Sequence, residues 1–420
     1  MAKLTDFIPR AGSAYAKNRN HDLGPGNREN VSCLSPYVRH RLVSEQEICR
    51  QALGVHAFST AEKFVQEVCW RTYWKGWLER HPGVWPMYLR QIESDRADLV
   101  RDGALRQRFE TAISGQTGIE CFDAWARELV EIGYVHNHAR MWFASIWIFT
   151  LRLPWSLGAD FFLTHLLDGD AASNTLGWRW VAGLQTKGKT YLARSGNITQ
   201  YTDGRFDVPS GALAPSAPAL HEDVDYPLAD MPHCPAVPSD EPFGLLLHED
   251  DLLGGEGIRL PGDPAALCVL GPDGFDRTLG AGPLAFKRDA CADAAAHHGA
   301  DFGLPCAQLE AGETTDACFE TVRDWARSAG VETIAMPYCP IGYVADRLDP
   351  VARRLEADAG IVVIPQLRDW DAGFWPHATR GFFKLKEQIP NVLADVGLLD
   401  VASLPPSRQP GRSKKRRKAA

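Results

Sequence analysis

The sequence predicts a multidomain α and α/β protein, with an all-helical first half followed by a Rossmann-like parallel α/β domain. Three observations carry this expectation. Through residues 40–80 and 105–185 apolar positions recur at spacings of three and four, and few stretches before Asp207 alternate as strands do. Residues 208–242 contain VPSGALAPSAPAL and MPHCPAVPSDEP, which are too rich in Pro, Ser and Ala to bury a core and read as a linker. Beyond them, short apolar runs at 244–247, 266–270, 333–336 and 360–365 alternate with helical stretches at 285–298, 318–328 and 351–359. Strand–helix alternation of this kind predicts a parallel sheet with crossover helices.

A length of 420 residues agrees with two or three domains, and 45% apolar with 23% charged residues is globular composition. The expected map is a helical domain over 1–207, the linker over 208–242, the α/β domain over 243–395 and a disordered basic tail over 396–420, which ends in SKKRRKAA. No run approaches the roughly 20 apolar residues of a membrane span. The opening MAKLTDFIPRAG has no apolar core of the kind a secretory leader needs. Ten cysteines without a C-x-x-C pair argue against a disulfide scaffold or a Cys-rich metal centre, so the expected setting is reducing and cytoplasmic. No G-x-G-x-x-G follows a strand, which removes the usual signal of a nicotinamide site.

The net charge of −8 is unevenly spread. Lys+Arg against Asp+Glu is 25 to 22 over residues 1–207, 13 to 31 over 208–407, and 7 to 0 from Arg408 onward. Only the first half and the tail could approach a polyanion without long-range repulsion. Ten of the 13 tryptophans also lie in the first half.

Within that half, Ser59-Thr60-Ala61-Glu62 offers a capping box before the run from Phe64 to Trp77. Glu67 and Arg71 are four apart and share a helix face, with Phe64 and Trp70 each three from Glu67. A second helix passes through His136, Asn137, His138, Arg140 and Met141 into MWFASIWIF, which is apolar nearly all round and should be buried. An arginine at the mouth of such a helix needs a carboxylate, because an unpaired buried charge is very costly. The segment Asp168-Gly169-Asp170 up to Asn174 supplies two, and Asp170 could equally cap a helix starting there.

Taken together and in order, these stretches resemble the FAD-binding half of the photolyase/cryptochrome family. The resemblance rests on Glu67 with Trp70-Arg71, the H-N-x-x-R-M pattern from His136 to Met141, the D-G-D-x-x-x-N pattern from Asp168 to Asn174, and Trp178-Arg179-Trp180. Upstream, Tyr15 and Val31-Ser32-Cys33-Leu34-Ser35-Pro36 look like the family's phosphate-binding tyrosine and T-S-x-L-S-P segment, with Val31 in place of the threonine. The α/β half looks like the family's antenna domain, which normally comes first; its order here is that of a circular permutation.

The resemblance implies FAD as cofactor and leaves a second antenna chromophore unknown. By it, Tyr15, Ser32, Leu34, Ser35 and Arg71 would hold the FAD phosphates. Arg140 and Asp168 would pair beside the flavin ring, Asp170 would accept from it and Asn174 would face its redox nitrogen. Glu67 and Asn137 would touch both flavin and substrate, and Phe64 replaces a tryptophan that lines the pocket. Trp70 and Trp180 would stack the bases of a lesion above Met141. Trp178 and Trp155 match the inner members of an electron chain whose outer member is missing near Arg101 and Asp102. The implied activity is that of a deoxyribodipyrimidine photo-lyase, a light-driven repair flavoprotein acting on cyclobutane dimers in UV-damaged DNA as a monomer away from membranes. The alternative is a blue-light sensor that binds FAD without repair.

Overall fold

The computed structural model describes residues 1–272 and 279–400. Every regular element before residue 207 is helical, as the periodicity predicts. Residues 207–242 contain no regular element, and the first strand begins at Phe243. The basic stretch from residue 401 onward lies outside the described residues.

The long helix Phe58–Arg80 starts earlier than expected. Its N-cap is Ala57, and no side chain caps it, so the capping box at Ser59 and Glu62 does not form. Starting at Phe58 places that ring in the core, and Glu62 instead accepts from Gln66 one turn on. The helix Asn137–Ser145 is buried as its all-round apolar sequence requires, with Trp142 and Phe143 fully enclosed.

The second body is a five-stranded parallel sheet: β1 (Phe243–His248), β2 (Ala266–Leu270), β3 (Cys306–Leu309), β4 (Thr333–Pro337) and β5 (Val362–Gln366), in the order β3-β2-β1-β4-β5. Leu245 of β1 lies opposite Leu267 on one side and Ala335 on the other, so β1 is the central strand and is buried throughout. β3 carries no apolar run because it is a short, partly exposed edge, and the sequence does not announce it. Helices Ala281–Phe302, Thr315–Ala329 and Tyr343–Arg354 make the crossovers after β2, β3 and β4.

Open sheets of this order present a crevice where the strand sequence reverses, here at the carboxyl ends of β1 and β4. The helical half fills it. Arg39 donates to Asp250 at 2.6 Å, His40 to the Glu249 carbonyl at 2.5 Å and Arg41 to Asp251 at 2.8 Å. A residual cavity of about 40 Å³ remains beside Arg39, Lys75, Asp170 and Lys287, room for about one or two waters.

The chain then returns. Three short helices, Asp369–Phe374, Phe382–Lys386 and Ile389–Asp395, were expected to belong to the α/β domain. They pack on the Phe58–Arg80 helix, where Trp370, Phe374, Trp375, Leu385 and Leu393 share a core with Ala61, Val65, Cys69 and Tyr73. Gly76 makes this approach possible, since a Cβ there would sit 2.6 Å from Trp375. The helical core is thus built from both ends of the sequence.

Candidate flavin site

The site is assembled around two buried carboxylates. Asp168 receives two contacts from Arg140 Nη2, at 3.0 and 3.1 Å, while Arg140 Nε is held by the Val135 carbonyl at 2.8 Å. Arg71 Nη2 lies 3.7 Å away, and the Ser35 hydroxyl donates to the same carboxylate. Burial alone would raise Asp168, but Arg140 and Arg71 outweigh it and hold the group below the usual carboxylate range.

Asp170 caps the helix Ala171–Ala182 by accepting from the Ser173 amide at 2.6 Å. Its other oxygen faces Arg39, Lys75 and Arg71 at 3.8, 3.9 and 4.0 Å. Those cations hold Asp170 ionised against its burial. Asp170 is therefore the helix cap that the sequence allowed, and its charge partners are Arg39, Lys75 and Arg71 in place of Arg140, which pairs with Asp168.

Lys75 was missed by sequence reasoning, although the spacing held a signal. Glu67, Arg71 and Lys75 are each four apart and line one stripe of the Phe58–Arg80 helix. Lys75 is almost fully enclosed, and burial pulls its ammonium below the usual lysine range despite Asp170. Arg39 was missed too, and nothing local marks it, because its partner lies 211 residues away.

Glu67 pairs with Arg19 at 2.8 Å, and burial raises its carboxyl in spite of that partner. Tyr15 stands edge-on to Phe64, with ring centres 5.1 Å apart; burial, and next the charge of Glu67, push its phenol up. Phe64 and Leu34 point into a hydrophobic cluster with Phe7 and Ile8. In the Ser32–Ser35 segment Cys33 has φ +50° and the Leu34 amide reaches the Ser32 hydroxyl at 3.4 Å.

Asn137 is exposed and follows His136, which caps the helix by accepting from the His138 amide at 3.1 Å. Asn174 donates its amide to the Ala159 carbonyl at 2.8 Å, which fixes its orientation. Met141 and Trp180 are half-buried at the edge of the core, and Trp180 lies 5.8 Å from Tyr191. Trp178 is buried edge-on against Phe162 and Trp147, while Trp155 stacks on Tyr88 at 5.5 Å. The face of Trp70 is not open: the ring of Phe382 lies parallel to it.

Several buried polar atoms in this region make no hydrogen bond. Arg71 Nη1, Arg39 Nη1, Lys75 Nζ and Ser173 Oγ are shielded from water, and Arg71 Nη1 and Lys75 Nζ face Asp170 only across 4.0 and 3.9 Å. Buried polar atoms are seldom left so, and four donors gathered around two carboxylates suit an anionic ligand. The residues fit a phosphate-bearing cofactor.

Residues 64–208 match the family described as the FAD binding domain of DNA photolyase. A deoxyribodipyrimidine photo-lyase of Streptomyces griseus is 36% identical over 157 residues, covering 37% of this chain and 33% of that protein. Its namesake from Synechococcus sp. is 30% identical over 189 residues, covering 43% and 37%. That of Escherichia coli K12 is 30% identical over 206 residues, covering 48% and 42%. The matched part of the chain therefore spans between a third and a half of these curated relatives' lengths. A solved class III photolyase from Agrobacterium tumefaciens superposes with a TM-score of 0.41 at 27% identity, covering 48% of this chain and 42% of that one. Over residues 64–208 the chain is thus similar to the FAD binding domain of DNA photolyase.

Proposed function

We propose that the protein is a light-driven DNA repair flavoprotein of the deoxyribodipyrimidine photo-lyase type. The observation that carries this reading is the Arg140–Asp168 pair, closed on one side by Arg71 and Ser35, with Arg71 Nη1 buried beside it and making no hydrogen bond. Bound FAD would supply, in its reduced and excited form, the single electron that opens a cyclobutane dimer and recovers it afterwards.

The chain's own residues would do the rest. Arg71 and Lys75 would hold the phosphates, with Tyr15 and the Ser32–Ser35 segment alongside. Asn174 spends one amide N–H on Ala159, which orients it; its carbonyl oxygen and second N–H remain for the ring, and an amide gives up no proton readily. Glu67, whose carboxyl burial raises despite its pair with Arg19, would hydrogen-bond a flipped pyrimidine. Asn137 and Met141 would floor the pocket, and Trp70 and Trp180 would stack the bases. Trp178 and Trp155 would relay an electron inward from the surface. The α/β body would serve as the antenna domain, its chromophore unassigned, and the protein would work as a monomer in the cytoplasm on UV-damaged DNA.

The test is an oligonucleotide bearing one cyclobutane dimer, incubated with the flavin-loaded protein in blue light and in darkness. Light-dependent reversal is expected; flavin binding without reversal overturns the repair reading. One observation favours the second reading, a blue-light sensor: Phe382 already stacks on one face of Trp70. A sensor would then signal by moving the helix that carries Phe382.

A further inference from the structure

Away from the flavin site, the last two turns of the helix Ala281–Phe302 bring together the one group of three His, Cys, Asp or Glu side chains among the described residues whose donor atoms could share an ion. They are His297, His298 and Asp301. His297 Nε2 lies 3.3 Å from Asp301 Oδ2, and His298 Nδ1 lies 3.7 Å from the same oxygen. Ligands at about 2.0–2.2 Å around a tetrahedral ion sit about 3.4 Å apart, so these separations already approach a chelating geometry.

His298 is not merely nearby; it is preset. The ring is buried, and its Nε2–H donates to the Leu252 carbonyl at 2.8 Å. That bond fixes the tautomer and turns the Nδ1 lone pair toward Asp301, the arrangement by which an outer-shell carbonyl orients a metal-bound imidazole. Gly254, at φ +70°, is what lets the ring lie there, because a Cβ would stand 2.6 Å from it. The other two donors are exposed and can close on an ion without disturbing the core.

All three line a groove of about 780 Å³ between this helix, the segment 252–263 and residues 41–50 of the helical half. Asp293, one turn before His297 on the same stripe, lines it as well and could supply a further oxygen. We propose that His297, His298 and Asp301 form a binding site for a late first-row divalent ion, zinc being the reference case, with its remaining positions open to the groove. Two imidazoles and one carboxylate suit zinc, nickel, cobalt or copper, and not the all-oxygen preference of magnesium or calcium. Open positions would let the ion take up a solvent or ligand oxygen.

The test uses the full chain, stripped by a chelator and titrated with Zn²⁺ in a calorimeter, then with Co²⁺ followed by its visible absorption. One zinc per chain should bind, and Co²⁺ should develop the intense bands of a low-coordinate site. His297→Ala and Asp301→Asn, both exposed and so expected to fold, should each weaken zinc binding at least tenfold. His221→Ala removes an exposed histidine that also faces an aspartate but has no third donor, and should change nothing. Calcium should not compete. The proposal is overturned if stripped protein takes up no zinc, or if His297→Ala and Asp301→Asn bind it as the parent does.

Discussion

The ring of Phe382 lies parallel to that of Trp70, 3.7 Å between centres and 12° between planes. The contact joins the last part of the described chain to the stripe that carries Glu67 and Arg71. If Trp70 stacks a lesion, Phe382 competes for the same face. Phe382→Ala should then raise affinity for dimer-bearing DNA several-fold, while Trp70→Ala should lower it about tenfold and leave flavin bound. Electrophoretic mobility shifts on damaged and intact duplexes would decide. Equal affinity across all three proteins would remove Trp70 from the pocket.

Asp168→Ala leaves Arg140 and Arg71 without their shared carboxylate in a buried place. Breaking such a pair costs about 3–5 kcal/mol, so flavin retention should fall and the urea midpoint should drop clearly. Asp168→Asn keeps the shape and loses the charge, and should lie between. Visible absorbance after gel filtration and a denaturation curve give both readouts.

Glu79 supplies a pH dependence. It accepts from the Tyr338 hydroxyl and the Ile341 amide, each at 2.7 Å, across the boundary between the two bodies. Burial outweighs both bonds and raises its carboxyl to about 7. A carboxyl raised in the folded state holds its proton longer than the unfolded chain does. Stability should therefore fall as pH climbs from the ordinary glutamate range to about 7, by at most about 3 kcal/mol, and stay level above. Glu79→Gln, which keeps one acceptor and one donor in place, should flatten that slope in thermal melts between mildly acidic and neutral pH.

Arg41 is enclosed and meets Asp251 at 2.8 Å and Asp371 at 2.5 Å, while Arg368 clasps Asp251 through two nitrogens. Arg41→Met should cost at least about 3 kcal/mol by stranding Asp371, a carboxyl that burial already pushes up. Removing Asp371 as well, as Arg41→Met with Asp371→Leu, should restore part of the loss. A double-mutant cycle in urea measures the coupling.

Trp155 stacks on Tyr88, which in turn lies 5.5 Å from Trp85. These rings extend the aromatic contacts of Trp155 where the expected third tryptophan is missing, although Tyr88 and Trp85 are themselves buried. Trp155→Phe should slow photoreduction of the flavin at least tenfold, and Tyr88→Phe should slow it less, with dark flavin content unchanged. Flash absorption would follow it. A rate unaltered in Trp155→Phe would send the electron path elsewhere.

The sequence made the helical half and the Arg140–Asp168 pair legible because both are encoded by short-range signals: apolar spacing, and a lone arginine leading a buried helix. The four short apolar runs of the other strands were legible for the same reason, whereas β3, with Cys306 and Gln308 on a partly exposed edge, was not. The capping box failed because Phe58 gains more by burial than Ser59 would by capping. Arg39 with Asp250, and Trp375 against Gly76, were out of reach: their partners lie hundreds of residues apart, and no local pattern records such a pairing.

The return of Trp370, Phe374 and Trp375 to the Phe58–Arg80 helix has a consequence for biosynthesis. A ribosome releases that helix some three hundred residues before the aromatic residues that cover it, so its apolar flank must wait uncovered in the nascent chain while the sheet is still being made. Closing the helical core is thereby tied to synthesis of residues 370–393, and a polypeptide cut short after the sheet would carry an uncovered apolar flank.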